Sequence, residues 1–221
     1  MISVHHLNNS RSQRVMWLLE ELGVPYGVKR YERDAATGLA PASLKAVHPL
    51  GKSPVLTDGD ATVAESGAIV EYLVDTYGDG SLRPAQGTPE RRRYTYWLHY
   101  AEGSAMPPLL LSLVFARMPK APMPFFMRPV VKAIARKVRQ GFVDPQLALH
   151  LGYVEAELGK APWFAGDAFS AADIQMSFPV EAAAARGGGS RPNMTDFLAR
   201  IHARPAYQRA LAKGGPYTIM T

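Results

Sequence analysis

The residue that most constrains this chain is Pro54, at the head of a strand-like run inside Val47 to Leu73, VHPLGKSPVLTDGDATVAESGAIVEYL. Proline has no N–H to give to a β-ladder, so it is tolerated only at a strand start, an edge or a special turn. A cis bond between Ser53 and Pro54 would turn Ser53 so that its own N–H and C=O face outward, free to pair with a ligand backbone. Asp58-Gly59 then folds the chain back as a hairpin. Glu65 and Ser66 fall where the second strand of that hairpin gives way to an apolar helix. A helix start offers unpaired N–H groups and a partial positive charge, which suits a carboxylate. Backbone pairing beside a carboxylate-binding helix start describes a site for a small peptide.

The flanking segments supply the rest of a sheet. Ile2 to Leu7 is short and β-prone, and Asn8-Asn9-Ser10 carries turn and N-cap residues, so a helix is expected to begin there. Val15, Met16, Leu18, Leu19 and Leu22 keep helical spacing, and Gly23 is placed to stop that helix. Pro25 to Tyr31 reads as a second strand and Ser43 to Val47 as one helical turn. The helix from Ser66 turns Ile69, Val70, Leu73 and Val74 inward and ends at Gly78. The order β-α-β-(α)-β-β-α, with Pro54 before the third strand, predicts a thioredoxin-like α/β sheet: a parallel crossover followed by an antiparallel pair. His5 and His6, adjacent on a strand, face opposite sides and do not converge on a metal.

Beyond Tyr77 the composition changes. Breakers crowd Gly78 to Pro89, and everything after them reads as helical. The expected division is therefore a sheet domain over 1–78, a linker over 79–88 and an all-α domain over 89–221. Thr88 caps a helix with Pro89 in its first turn, and Tyr94, Trp97, Leu98 and Ala101 lie on its inner face. Met118 to Pro129 holds too many prolines for a regular helix, a new helix starts near Pro129, and Pro145 kinks or restarts it. Phe169-Ser170-Ala171-Ala172-Asp173-Ile174 is a capping box, with Ser170 and Asp173 exchanging hydrogen bonds and Phe169 stapled onto Ile174. The helix behind it is apolar almost throughout and must be central. Gly187-Gly188-Gly189 is expected to end it.

The chain contains no cysteine, which excludes disulfides, thiolate metal sites and a protein-thiol redox centre. Its net charge of +6 permits attraction to anions without choosing among them. The N-terminus lacks a long apolar core and no run approaches the ~18 apolar residues of a membrane span, so a cytoplasmic protein without a membrane partner is expected. Arg91-Arg92-Arg93 reads as a solvated face, and no nucleic-acid partner is expected from the basic balance.

Four motifs then fall in one order: S-x-x-x-R at Ser10 and Arg14, H-P-x-G-K-S-P-V-L from His48, E-S-x-A-I-x-x-Y-L from Glu65, and S-x-x-D at Ser170 and Asp173. Over essentially its full length the chain resembles the cytosolic glutathione S-transferases, in particular the serine-type bacterial and fungal enzymes. The resemblance implies a thioredoxin-like domain holding glutathione as co-substrate, an all-helical domain lining an electrophile pocket, a homodimer and no metal. It implies that Ser10 hydrogen-bonds the glutathione sulfur. It implies that Ser53 pairs with the cysteinyl unit, that Glu65 and Ser66 receive the γ-glutamyl end, and that Lys52 meets the glycyl carboxylate. Tyr100, Met106, Leu110, Phe115 and the Met118-to-Pro129 loop are the candidates for the electrophile pocket. The implied activity is conjugation of the glutathione thiolate to small hydrophobic electrophiles, with reduction of organic peroxides open to the same thiolate. The alternative is a non-catalytic module of the same fold that binds ligands or partner proteins.

His48 stands where the family often has asparagine, and no tyrosine or cysteine occupies the sulfur-facing position. Asn8, Asn9, Arg11 and Ser12 crowd the same turn, and any of them could share or replace the role of Ser10. Read without the resemblance, Ser10 is a helix cap, Lys52 a solvated loop lysine, and Glu65 and Ser66 caps of their own helix.

Overall fold

A computed structural model describes residues 1–34, 37–186 and 191–219. Strands β1 (Ile2–Leu7), β2 (Tyr26–Tyr31), β3 (Val55–Asp58) and β4 (Ala61–Ala64) form one sheet in the order β2-β1-β3-β4. β1 and β2 pair in parallel, β1 and β3 antiparallel, and β3 and β4 antiparallel. Helix α1 (Ser12–Leu22) connects β1 to β2, and α2 (Ser66–Tyr77) follows β4. This is the thioredoxin-like arrangement expected from the order of patterns. The single helical turn before Pro54 is a 3-10 turn, Ala42–Ala46.

Side-chain alternation divides the sheet. Ile2 and Val4 join the main core with Val15, Met16 and Leu19 of α1 and with the buried Ile69, Val70, Leu73 and Val74 of α2. Leu7, Tyr31 and Leu44 form a smaller cluster of their own. The two neighbouring histidines part accordingly: His5 meets Tyr31 and Thr57, while His6 meets Ser12 of α1.

From Pro89 onward the described elements are helices: α3 (Pro89–Tyr100), α4 (Met106–Arg117), α5 (Arg128–Val138), α6 (Asp144–Leu158), α7 (Ala171–Ala185), α8 (Pro192–His202) and α9 (Pro205–Gly214). Thr88 Oγ1 accepts the Arg91 N–H at 3.1 Å and so caps α3. The proline-rich stretch reduces to two 3-10 turns, Met118–Lys120 and Phe125–Met127. The break before Pro145 is a π-helical turn, Arg139–Val143, after which α6 begins with that proline in its first turn. A second π-helical turn, Ala101–Ala105, joins α3 to α4. The glycine triplet expected to end α7 lies outside the described residues.

Helix α7 is buried along most of its length and packs against α1, α2, α3, α4 and α8. Its capping box forms as expected: Asp173 accepts the Ser170 N–H and the Phe164 N–H, each at 2.8 Å. Burial pushes the Asp173 carboxyl up to about 6, against the downward pull of those N–H groups. One further residue in α7 has a long-range effect. Pro179 sits inside the helix and has no N–H, so the Gln175 carbonyl one turn back lacks its usual donor. Arg14 of α1 fills the gap, its Nη1 donating to Gln175 O at 2.6 Å.

Candidate functional site

The turn between β1 and α1 gathers most of the polar groups. Asn9 adopts a left-handed backbone, φ 50°, a conformation asparagine tolerates better than most residues. That extra residue of turn shifts the start of α1. Ser10 was expected to cap the helix, whereas Arg11 holds the N-cap position with helical backbone angles and no side-chain cap. The Ser10 hydroxyl keeps only a loose contact to the backbone, accepting the Ser12 N–H at 3.3 Å. Its stronger partner is Ser12 Oγ at 2.7 Å, and Ser53 Oγ lies 3.5 Å away.

Ser53 reaches that point from the opposite side of the sheet's end. The Ser53–Pro54 bond is cis, and Ser53 Oγ donates to His5 O at 3.0 Å while accepting Leu7 N–H at 3.3 Å. Lys52 beside it is exposed. Glu65 is the N-cap of α2, exposed, with φ 71° and no side-chain cap bond. A glutamate held at positive φ costs about 1–3 kcal/mol, and its carboxylate is not occupied in closing its own helix. Ser66 behind it is buried. Ser10 and Ser53 thus meet directly, with Lys52 adjacent in the chain and Glu65 and Ser66 at the helix start that follows the hairpin.

The other residues of the turn are tied elsewhere. Asn8 Oδ1 accepts the Arg33 N–H, and the Asn8 and Asn9 carbonyls accept from the Arg33 guanidinium. Asn9 Oδ1 accepts the Thr218 N–H at 2.8 Å, linking the turn to the C-terminal segment. Arg11 donates to both oxygens of Glu102, at 3.0 and 3.1 Å, and Arg14 pairs with Glu102 as well. Both guanidinium groups lie over the Phe178 ring, 5.0 and 5.7 Å from its centroid. Burial alone would raise the Glu102 carboxyl, but the two arginines outweigh it and hold it below the usual glutamate range. Burial pulls the Arg14 guanidinium below its own ordinary value, and the pairing with Glu102 opposes that. Charge, hydrogen bonds and a ring face therefore anchor the start of α1 to the helical half of the molecule.

The four electrophile-pocket candidates are placed unevenly. Tyr100 and Met106 are buried, Phe115 is half-buried and Leu110 is exposed on α4. The Tyr100 hydroxyl lies 2.7 Å from His150 Nδ1 of α6, and its ring stacks on Tyr96 and packs against Trp97 and Tyr153. Tyr100 is thus integrated with α6, whereas Glu102, two residues on, is the group that reaches the Ser10 turn. Glu102, Phe178 and His6 were not singled out as site residues from sequence, whereas Ser12 was named as an alternative to Ser10. Their contacts, Arg11, Ser12 and Arg14, were the residues of that turn legible from sequence.

Comparison with known proteins agrees with the fold. A family model described as glutathione S-transferase, N-terminal domain, matches residues 1–75, and one described as glutathione S-transferase, C-terminal domain, matches residues 117–205. The chain is 37% identical over 215 residues to glutathione S-transferase 3 of Schizosaccharomyces pombe, covering 96% of this chain and 88% of that one. It is 33% identical over 190 residues to glutathione S-transferase 1 of Saccharomyces cerevisiae, covering 83% and 81%. The crystal structure of a glutathione S-transferase from Actinobacillus pleuropneumoniae is similar at a TM-score of 0.81 and 35% identity, over 97% of this chain and 93% of that one.

Proposed function

The chain belongs to the glutathione S-transferase family, and from that membership we propose that it binds glutathione along β3 and the start of α2 and activates its thiol at Ser10. The observation that carries the reading is the meeting of Ser10 Oγ with Ser53 Oγ at 3.5 Å. It puts a hydroxyl from the first turn beside the strand head that offers peptide pairing. In this reading Ser53 pairs with the cysteinyl unit, Glu65 and Ser66 receive the γ-glutamyl end, and Lys52 meets the glycyl carboxylate.

The energetics suit a single hydroxyl. A free thiol titrates near ~8.5, and only its thiolate is a good nucleophile. Lowering that value by two units needs ~2.7 kcal/mol of preference for the thiolate. A hydrogen bond to a charged group supplies ~1.5–3 kcal/mol, and the N-terminus of α1 adds its dipole. The thiolate attacks an electrophilic carbon, a new C–S bond forms, and the leaving group departs with its electron pair. An organic peroxide meets the same sulfur at oxygen. Tyr100, Met106, Leu110 and Phe115 are proposed to face the electrophile, where apolar contact adds affinity but little chemical selectivity. The acting unit is proposed to be a homodimer in the cytoplasm that removes reactive electrophiles.

Calorimetry with glutathione and with S-hexylglutathione tests the division of labour. Both should bind, and the hexyl group should add affinity that survives Lys52→Ala and falls with changes at Met106 or Phe115. Binding of neither ligand would leave an interaction module in place of an enzyme. Binding of glutathione without conjugation of any of several electrophiles would leave a ligand carrier.

A further inference from the structure

Thiol activation as described leaves one buried titratable residue near Ser10 unused. His6 lies on the face of β1 that carries Ile2 and Val4 and is 4% exposed. Its Nδ1 is 2.8 Å from Ser12 Oγ, which is 2.7 Å from Ser10 Oγ. The Gly214 backbone of α9 also lies beside the ring and favours its protonated form. Ser12 occupies Nδ1, which leaves Nε2 as the ring nitrogen that can carry the proton in the neutral form. Helix α9 packs closely here: a Cβ at Gly214 would meet the ends of the Met16 and Gln13 side chains, at 2.6 and 2.7 Å.

Burial, the largest influence on His6, holds it below the ordinary histidine value, so the resting ring is neutral. We assign its one proton to Nε2, which makes Nδ1 an acceptor. Ser12 therefore gives its O–H to Nδ1 and not to Ser10 Oγ at 2.7 Å or Leu7 O at 3.4 Å, because in this tautomer Nδ1 has no hydrogen of its own to share. Ser10 in turn gives its O–H to Ser12. In that direction Ser10 shows an arriving sulfur a lone pair and no hydrogen, the opposite of what a thiolate needs.

We propose that Ser10, Ser12 and His6 form a proton relay that reverses when glutathione binds, with His6 accepting the thiol proton. The proposal rests on the assignment of Ser10 above. The thiol proton passes to Ser10 Oγ as Ser10 passes its own to Ser12 Oγ and Ser12 passes its own to His6 Nδ1. One S–H bond breaks, one N–H bond forms, and each serine exchanges one O–H bond for another. The products are a thiolate and an imidazolium. Every link then points the other way: Nδ1–H to Ser12, Ser12 to Ser10, and Ser10 to the sulfur. Arg30 of β2 opposes the charge on His6 and Glu32 favours it. Ser10 is the catalytic residue, and Ser12 and His6 are positioning residues that act through it.

Ser12→Ala cuts the relay and leaves both ends in place. In that variant the thiolate absorbance of bound glutathione, titrated against pH, should move up by about one pH unit, an about tenfold loss of thiolate well below the midpoint. Glutathione affinity should not change, and Ser12→Thr should restore the wild-type midpoint. His6→Gln, which keeps a hydrogen-bonding group but takes no proton, should give the same upward shift, so the result does not depend on one variant folding. Nitrogen NMR of the His6 ring gives the decisive reading. In wild type, above the midpoint of the free ring, added glutathione should convert it to imidazolium, and in Ser12→Ala it should not. A ring that stays neutral in wild type overturns the relay, whatever Ser12→Ala does to the thiolate. If Ser10→Ala moves the thiolate midpoint while Ser12→Ala and His6→Gln do not, the relay fails and the Ser10 assignment stands. If Ser10→Ala leaves the midpoint in place, the Ser10 assignment fails and the relay with it.

Discussion

The starts of α1 and α7 each carry a serine just ahead of the first turn, Ser10 and Ser170, and they use it differently. At α7, Ser170 and Asp173 close the helix end on itself, so that the buried end is satisfied within a few residues. At α1, the left-handed Asn9 moves the N-cap on to Arg11, and the Ser10 hydroxyl turns toward Ser12 and Ser53. The start of α2 sides with α1: Glu65 has positive φ and no side-chain cap. The α7 start is closed by its own capping box, whereas the α1 start is held from outside. For α1 that outside support is Glu102 and the Gln175 carbonyl.

The comparison breaks first at Ser10. Ser10→Ala should lower conjugation turnover by one to several orders of magnitude while nearly preserving glutathione affinity, as steady-state kinetics and calorimetry would show. A variant with unchanged turnover would put Ser10 with Ser170, as a structural serine, and move the thiol contact to Asn8, Asn9, Arg11 or Ser12.

Next comes the outside support. Glu102→Gln leaves Arg14, 2% exposed, without its counter-charge, and losing one partner of such a pair costs about 3 kcal/mol. Denaturant unfolding should register that loss, and turnover should fall with it. Loss of stability alone would mean that Glu102 anchors the fold without positioning the turn.

The α2 start is tested by affinity. Lys52→Ala and Glu65→Gln should each weaken glutathione binding by roughly 10- to 150-fold, from ~1.5–3 kcal/mol per charge-assisted hydrogen bond. Calorimetry with no change for Glu65→Gln would return that glutamate to the structural class.

The smallest effects belong to α7. Ser170→Ala should cost ~0.5–2 kcal/mol, and the double variant with Asp173→Ala should lose less than the sum, because the two residues form one reciprocal box. Asp173 also gives stability a pH dependence. Its folded value, about 6, lies above the unfolded ~3.9, so the folded state binds the extra proton between them. Stability should therefore fall as pH rises from about 4 to about 6, and Asp173→Asn should flatten that slope in denaturation measured across the window. Turnover should follow none of these α7 changes beyond the loss of folded protein.

What was legible from sequence follows the same division. Pro54, the Asp58-Gly59 hairpin, the Thr88 cap and the Ser170–Asp173 box are local devices whose partners lie within a few residues, and each lies where its pattern indicated. The register of the Ser10 turn was not, because nothing in Asn8-Asn9-Ser10 shows which asparagine turns left-handed. Glu102, Phe178 and Gln175 were missed because their partners lie far along the chain. His6 looked like one more strand residue because its significance depends on Ser12, reached only once α1 folds back over the sheet.

Pro179 has a practical consequence for recombination. The carbonyl it leaves open in α7 is a receptor for one side chain of the first helix, so two segments far apart in the gene share a single fitting. A chimera that joins residues 1–78 of one chain to the helices of another would have to carry Arg14 and Pro179 together. An arginine facing an intact helix would lose the Gln175 carbonyl and keep only Glu102, and a proline helix facing a shorter side chain would keep an open carbonyl. For this chain, crossover points that replace one of the two positions and keep the other should yield less stable hybrids even where every local pattern is preserved.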